Sequence, residues 1–218
     1  MFSKTLSRTL CCLFVVTLAC GTLMAQGLKR APKPTNPRFE TAYVDKDSTR
    51  ANITIFTNLG PTPSNLYDVI DGGYYVSGPL AIDNPVDQWI AMPFTNKIAD
   101  HVTQIQAAIG YISGTKKLVM GIYTDNAGSV GTLLVQGQTA NVPAAGVCCQ
   151  VATVNVASTA LNAATQYWVV AQEHPTAQDF EAVWQASNSS LIGGNVGQAG
   201  WFTFSGLVPA FAVKGTNP

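Results

Sequence analysis

The chain has 218 residues, of which 47% are hydrophobic and only 11% charged, and its twelve basic residues equal its twelve acidic ones. That balance provides no field of one sign to gather nucleic acid or anionic lipid. Solubility has to come from neutral polar groups, and Thr, Asn, Gln, Ser and Gly are plentiful.

The opening stretch, "MFSKTLSRTLCCLFVVTLACGTLMAQ", sets Lys4 and Arg8 ahead of an apolar run from Leu10 to Ala19, then small residues and Ala25. A basic head, an apolar run too short to span a bilayer and a small-residue cleavage site predict a signal peptide over residues 1–25. Export places the mature chain in the cell envelope or outside the cell. "TLAC" before Gly21 also resembles a lipoprotein signal, in which Cys20 becomes the lipidated first residue. Thr17 stands where such a signal prefers a branched aliphatic, so soluble secretion is the favoured form and N-terminal lipid anchoring the alternative. Cleavage removes two basic residues and no acidic one, which leaves ten against twelve and a net charge of −2.

The next segment, "GLKRAPKPTNPR" (Gly27 to Arg38), has three prolines in twelve residues and no apolar periodicity. Residues 26–39 are therefore expected to form an extended Pro-rich linker, and residues 40–218 a single domain large enough for a sizeable core. No later stretch approaches the roughly 18 apolar residues of a membrane span. The final "KGTNP" adds no C-terminal anchor to this expectation.

Within the domain, "ITIFTNL" (Ile53 to Leu59) alternates apolar and polar residues. "TQIQAAIGY" (Thr103 to Tyr111) does the same, with Ile105, Ala107, Ile109 and Tyr111 on one side and Gln104 and Gln106 on the other. A period of two is the signature of a half-buried strand. "KLVMGIYT" (Lys117 to Thr124) and "QYWVVAQ" (Gln166 to Gln172) are apolar on both faces, as central sandwich strands tend to be. Turn clusters such as "GPTPSN", "IDGG", "DNPVD", "SGTKK", "TDNAGSVG" and "IGGN" separate these runs and leave no window for a long amphipathic helix. The expected fold is all-β, an antiparallel β-sandwich of about eight to ten strands with a jelly-roll-like connection.

The order "FTNLGP", "YDVIDGGYYVSG", "QWIAMPFT", "IQAAIGYISGTKKLVMGIYTDNAGSVGTLL", "CCQVATV", "LNAATQYWVVA" and "PAFAVKG" resembles the choice-of-anchor R domain of exported bacterial proteins, over roughly Ile55 to Gly215. The resemblance implies an exported β-sandwich whose relatives differ mainly in how they are tethered. This chain departs from relatives that carry a C-terminal sorting helix. The resemblance brings no catalytic residues with it.

Catalytic clusters are scarce. His101 opens a strand and His174 precedes Pro175 in a polar turn; "GYISG" puts Ser113 one place too late for a nucleophile elbow. Glu173 and Glu181 flank one segment, and only their number permits a glycosidase pair. Asp45, Asp47, Asp83, Asn84, Asp87, Asp125 and Asn126 provide oxygen ligands of the kind calcium takes, but Asp and Asn favour turns in any case by bonding to their own backbone. No metal and no cofactor is therefore assigned.

Cys148 and Cys149 are adjacent. Neighbouring Cα atoms lie about 3.8 Å apart across a trans peptide, below the usual span of a disulfide, so a Cys148–Cys149 bond asks for a locally distorted backbone. The turn "VPAAG" just before them allows it, and an oxidising compartment favours it. Free thiols with one side chain buried, and intermolecular or metal use, are the alternatives.

These readings favour a non-catalytic cell-envelope or extracellular binding module. The partner class is a polysaccharide or a surface protein. Trp184 in "EAVWQAS", Trp201 in "AGWFTFSG", and Tyr74 and Tyr75 after "DGG" stand beside polar or Gly-rich residues and form the expected sugar platform. Trp89 and Trp168, in long apolar strands, are assigned to the core. A secreted polysaccharide hydrolase and a purely structural envelope protein are the alternatives.

Overall fold

A computed structural model describes residues 30–31, 38–39, 53–187, 192–197 and 200–218. The signal segment, Cys20, Asp45 and Asp47 lie outside the described residues. In chain order the strands are β1 (Arg30–Ala31), β2 (Arg38–Phe39), β3 (Ile53–Thr57), β4 (Asp68–Ser77), β5 (Trp89–Asn96), β6 (Asp100–Ala107), β7 (Ile109–Ser113) and β8 (Leu118–Asn126). They continue with β9 (Ser129–Thr139), β10 (Val147–Cys148), β11 (Ala152–Leu161), β12 (Thr165–Glu173), β13 (Glu181–Ala186), β14 (Ile192–Gly197), β15 (Trp201–Leu207) and β16 (Phe211–Thr216).

The architecture is the expected all-β sandwich, with no helix among the described residues. The strands are more numerous than eight to ten, although β1, β2 and β10 have only two residues each. A six-stranded sheet runs β15-β14-β5-β12-β8-β9. Two four-stranded sheets, β1-β4-β13-β7 and β11-β6-β16-β3, make the opposing layer. These two are joined because β6 runs into β7 through Ala108, whose N–H donates to Ala210 O and whose carbonyl accepts from Gln185 N. Every strand pair within the sheets is antiparallel except β2–β10. The segment expected to be only a linker thus supplies two short strands, β1 against β4 and β2 against β10.

The periodicities explain which face each strand buries. Ile105, Ala107 and Ile109 enter the main core, and Tyr111 packs against it, as their spacing of two requires. β12 and β8 lie inside the six-stranded sheet, and β12 is apolar on both faces for a physical reason. Its Tyr167, Val169 and Ala171 meet the main core, while Trp168 and Val170 on the other face join Ala91 and Val130 in a second cluster. Tyr123 and Trp201 pack against that cluster. The sheet curls far enough for its opposite edges, β15 and β9, to touch, and this covers Trp168 from outside.

The β8–β9 hairpin that feeds this curl turns on Ala127 and Gly128, with φ of 52° and 85°. Positive φ at both central residues of a two-residue hairpin matches the twist of the flanking strands. Gly128 adopts it freely, whereas Ala127 is held there, and the Gly128 N–H donates to Asp125 Oδ2 at 3.1 Å.

Candidate functional site

The platform anticipated from flanking polarity does not assemble. Trp184 is 0% exposed, Tyr74 2% and Tyr75 6%. Trp184 and Tyr74 are cross-strand partners within the main core, and the Trp184 indole donates to Ala210 O at 2.9 Å. Tyr75 lies in a separate small cluster with Val183. The polar neighbours that suggested exposure, Glu181, Gln185 and Ser187, are themselves buried. Trp201 alone of the four keeps a partly exposed ring.

Trp201 has a different aromatic partner. In the six-stranded sheet Gly197 pairs with Trp201 on one side and Trp89 on the other. With no side chain between them, the two indoles approach to 6.3 Å between centroids at 56°. A tilted contact of this kind suits the ring quadrupoles. Trp89, assigned to the core by its apolar strand, is partly exposed; Trp168 is buried as expected. Thr203, two residues beyond Trp201 on the same strand, is exposed. Extending the β12–β5 register by one residue sets Gln172 beside Trp89.

On the same face, toward the β8–β9 hairpin, Asp125 gathers the Gln166 amide at 2.7 Å and the Trp168 indole at 2.8 Å. Burial raises its pKa, but the donors Gly128 N–H, Trp168 and Gln166 outweigh that, and the carboxyl sits below its usual range. Asp125 therefore ties the floor of the curled face to the hairpin that closes it.

At the other end of the aromatic pair is a carboxyl pair. The Trp89 Nε1 donates to Glu173 Oε2 at 2.9 Å, and Asp87 is hydrogen-bonded to Glu173. Glu173 is only 7% exposed. Burial first, then the neighbouring Asp87 charge, push its pKa up to about 7 against the opposing Trp89 hydrogen bond. Burial also raises Asp87.

Glu181 is not part of that pair. Its carboxylate accepts from Asn84 N at 2.8 Å, Asp83 N at 3.1 Å and Ser113 Oγ at 2.9 Å, and so holds the loop between β4 and β5. His101 Nδ1 lies 3.2 Å from Ser158 Oγ, and His174 Nδ1 accepts from Thr176 N at 3.1 Å in its turn. Asp83, Asn84 and Asp87 share one loop, while Asp125 and Asn126 belong to the hairpin on another.

The structure joins Cys148 to Cys149 by a disulfide, with Cα atoms 3.0 Å apart and a cis peptide between them. The pair is buried with Tyr67, Val69, Ala108 and Ala210. Its loop is clamped by the Tyr67 hydroxyl, 2.9 Å from both Val147 O and Gln150 O. Burial pushes the Tyr67 pKa up to about 12, so it remains a donor at any ordinary pH. Alkylation without reductant is therefore expected to leave both sulfurs unlabelled in the tryptic peptide read by mass spectrometry. Stoichiometric labelling of either would contradict the bond.

No protein-family model and no curated protein matches the chain.

Proposed function

We propose that the chain is an exported, non-catalytic binding module of the choice-of-anchor R type, and that it holds a polysaccharide against Trp201 and Trp89. The observation that carries this reading is the tilted Trp201–Trp89 pair at the rim of the curled sheet. Sugar rings present apolar C–H faces that lie on a flat indole, and the exposed neutral Thr203 beside it bonds hydroxyls without charge. The aromatic platform of the sequence is thus kept in kind but moved to a different pair.

Binding is favoured over hydrolysis by the carboxyl geometry. Glycosidases separate their two carboxyl groups by about 5 Å or more to admit the reacting atoms. Asp87 and Glu173 are instead hydrogen-bonded to each other, and Glu181 is spent on a loop. A protein partner is favoured by a separate observation. Leu80 and Ile82 are 66% and 78% exposed on a loop that Glu181 and Gln178 hold fixed.

The shallow site predicts affinities in the micromolar-to-millimolar range, roughly −4 to −8 kcal/mol. A glycan array on the exported protein tests the ligand class. Trp201→Ala should then weaken the best ligand by about tenfold, near 1–2 kcal/mol. It should lower the unfolding midpoint as well, because the ring also packs on the Trp168 cluster, so affinity is read under conditions where the variant is folded. Unchanged affinity in that variant would remove the platform.

A further inference from the structure

We propose that Asp87 and Glu173 share one proton that keeps Asp87 folded over Glu173, and that its loss swings Asp87 into solvent and uncovers Glu173 as an acceptor beside the tryptophan pair.

The two carboxyls have one side-chain donor between them, the Trp89 indole N–H, which serves both, and two carboxylates need a second. Asp87 Oδ1 is buried and receives no hydrogen bond. Its neighbour is the carboxyl of Glu173, whose Oε2 already accepts the Trp89 indole N–H. Two ionised carboxylates would face each other across that single indole N–H, in a poorly solvated place. A proton on Glu173 resolves this by donating O–H to Asp87, and it departs to solvent when Glu173 ionises. Glu173 is the more buried of the two and keeps the 2.9 Å Trp89 hydrogen bond, now to a carboxylate, so Asp87 is the group that gives up its share of that donor and moves. Asp87 is only partly buried.

Nearby charges do not substitute for the proton. Lys117 directs its Nζ to Thr176 Oγ1, and the His174 ring is bonded within its own turn. Glu181, from β13, is occupied by Asp83 N, Asn84 N and Ser113 Oγ. Ser77 holds the main chain of Gln88, and its Oγ donates to Val86 O and accepts from Asn84 Nδ2. The motion is therefore confined to the Asp87 side chain and the environment of Trp89. Burial and the Asp87 charge, which hold the Glu173 pKa near 7, place the change around neutrality.

Uncovered, Glu173 offers carboxylate oxygens to sugar hydroxyls next to Trp89, so affinity should rise several-fold from pH 6 to pH 8. This binding half rests on the polysaccharide reading; the proton itself does not. The test is tryptophan fluorescence of the purified protein from pH 5 to pH 9. The wild type should show a transition centred near pH 7 that disappears in Trp89→Phe. Glu173→Gln, whose amide donates to Asp87 at every pH, should abolish it. Asp87→Asn, whose amide donates to Glu173, should move it to lower pH. A flat wild-type profile, or a transition unchanged in Glu173→Gln or Asp87→Asn, would overturn the proposal. If no sugar binds at any pH, the polysaccharide reading falls while the fluorescence titration still decides the proton.

Discussion

Trp184→Ala should lower the unfolding free energy by roughly 3–5 kcal/mol, the range for emptying a buried tryptophan site. Trp184 is fully buried in β13, paired with Tyr74 on one side and Ile109 on the other. Its ring meets Phe211 edge-on, 6.1 Å between centroids at 81°, and so links two sheets of the opposing layer. Truncation opens a cavity and also strips Ala210 O of the indole donor. Trp184→Phe restores much of the volume but not the donor, and should lose less. Urea unfolding gives the answer: a lower midpoint with an unchanged slope is expected. A midpoint close to wild type in Trp184→Ala would mean that the residue is not in the core.

The second large effect is Glu181→Ala. One carboxylate satisfies two main-chain N–H groups and one hydroxyl, all drawn from segments distant in sequence. The buried Asn84 N–H left without an acceptor is unfavourable by about 1–3 kcal/mol, while the part-buried Asp83 N–H and Ser113 hydroxyl can turn to water, so the total is on the order of 2 kcal/mol. The loss should be local first. Hydrogen exchange is expected to speed up at the amides of Asp83 and Asn84 before the rest of the sheet responds. Glu181→Gln keeps one acceptor oxygen and should fall between the two. Exchange at Asp83 and Asn84 that stays at the wild-type rate in Glu181→Ala would show that the carboxylate does not hold the loop.

Much of the sandwich could be read from periodicity. The alternation through Ile105, Ala107 and Ile109 continued across a strand break, because the chain stays extended from β6 into β7 and preserves the face. The two-faced apolar strands, β8 and β12, lie inside the six-stranded sheet for the reason their composition implied. The adjacent cysteines follow the turn read at "VPAAG", and both are buried beside Tyr67 and Ala108, a packing that their local sequence did not announce.

The candidate site was less legible, and the failures have causes. Polar residues around Trp184 signalled a surface, yet in this fold Glu181 is a buried carboxylate that fastens a loop, and Gln185 is buried where its main chain joins two sheets. Trp89 read as core because its strand is apolar, while its exposure depends on where the sheet ends. The Trp201–Trp89 contact depends on Gly197 lying between them in a third strand, and strand order is not encoded in any local pattern. Curling of the sheet, which hides Trp168 and leaves Trp201 at the rim, is likewise a property of edge contact.

The central claim is that Trp201 and Trp89 form the ligand platform. The most direct measurement is an NMR titration of the four tryptophan indole N–H resonances with the polysaccharide fragment selected by the array. The account predicts that the Trp201 and Trp89 signals move together with saturable dependence on fragment concentration, while those of Trp184 and Trp168, donating to Ala210 O and Asp125 Oδ1, stay fixed. Saturable binding that leaves Trp201 and Trp89 unmoved would contradict it.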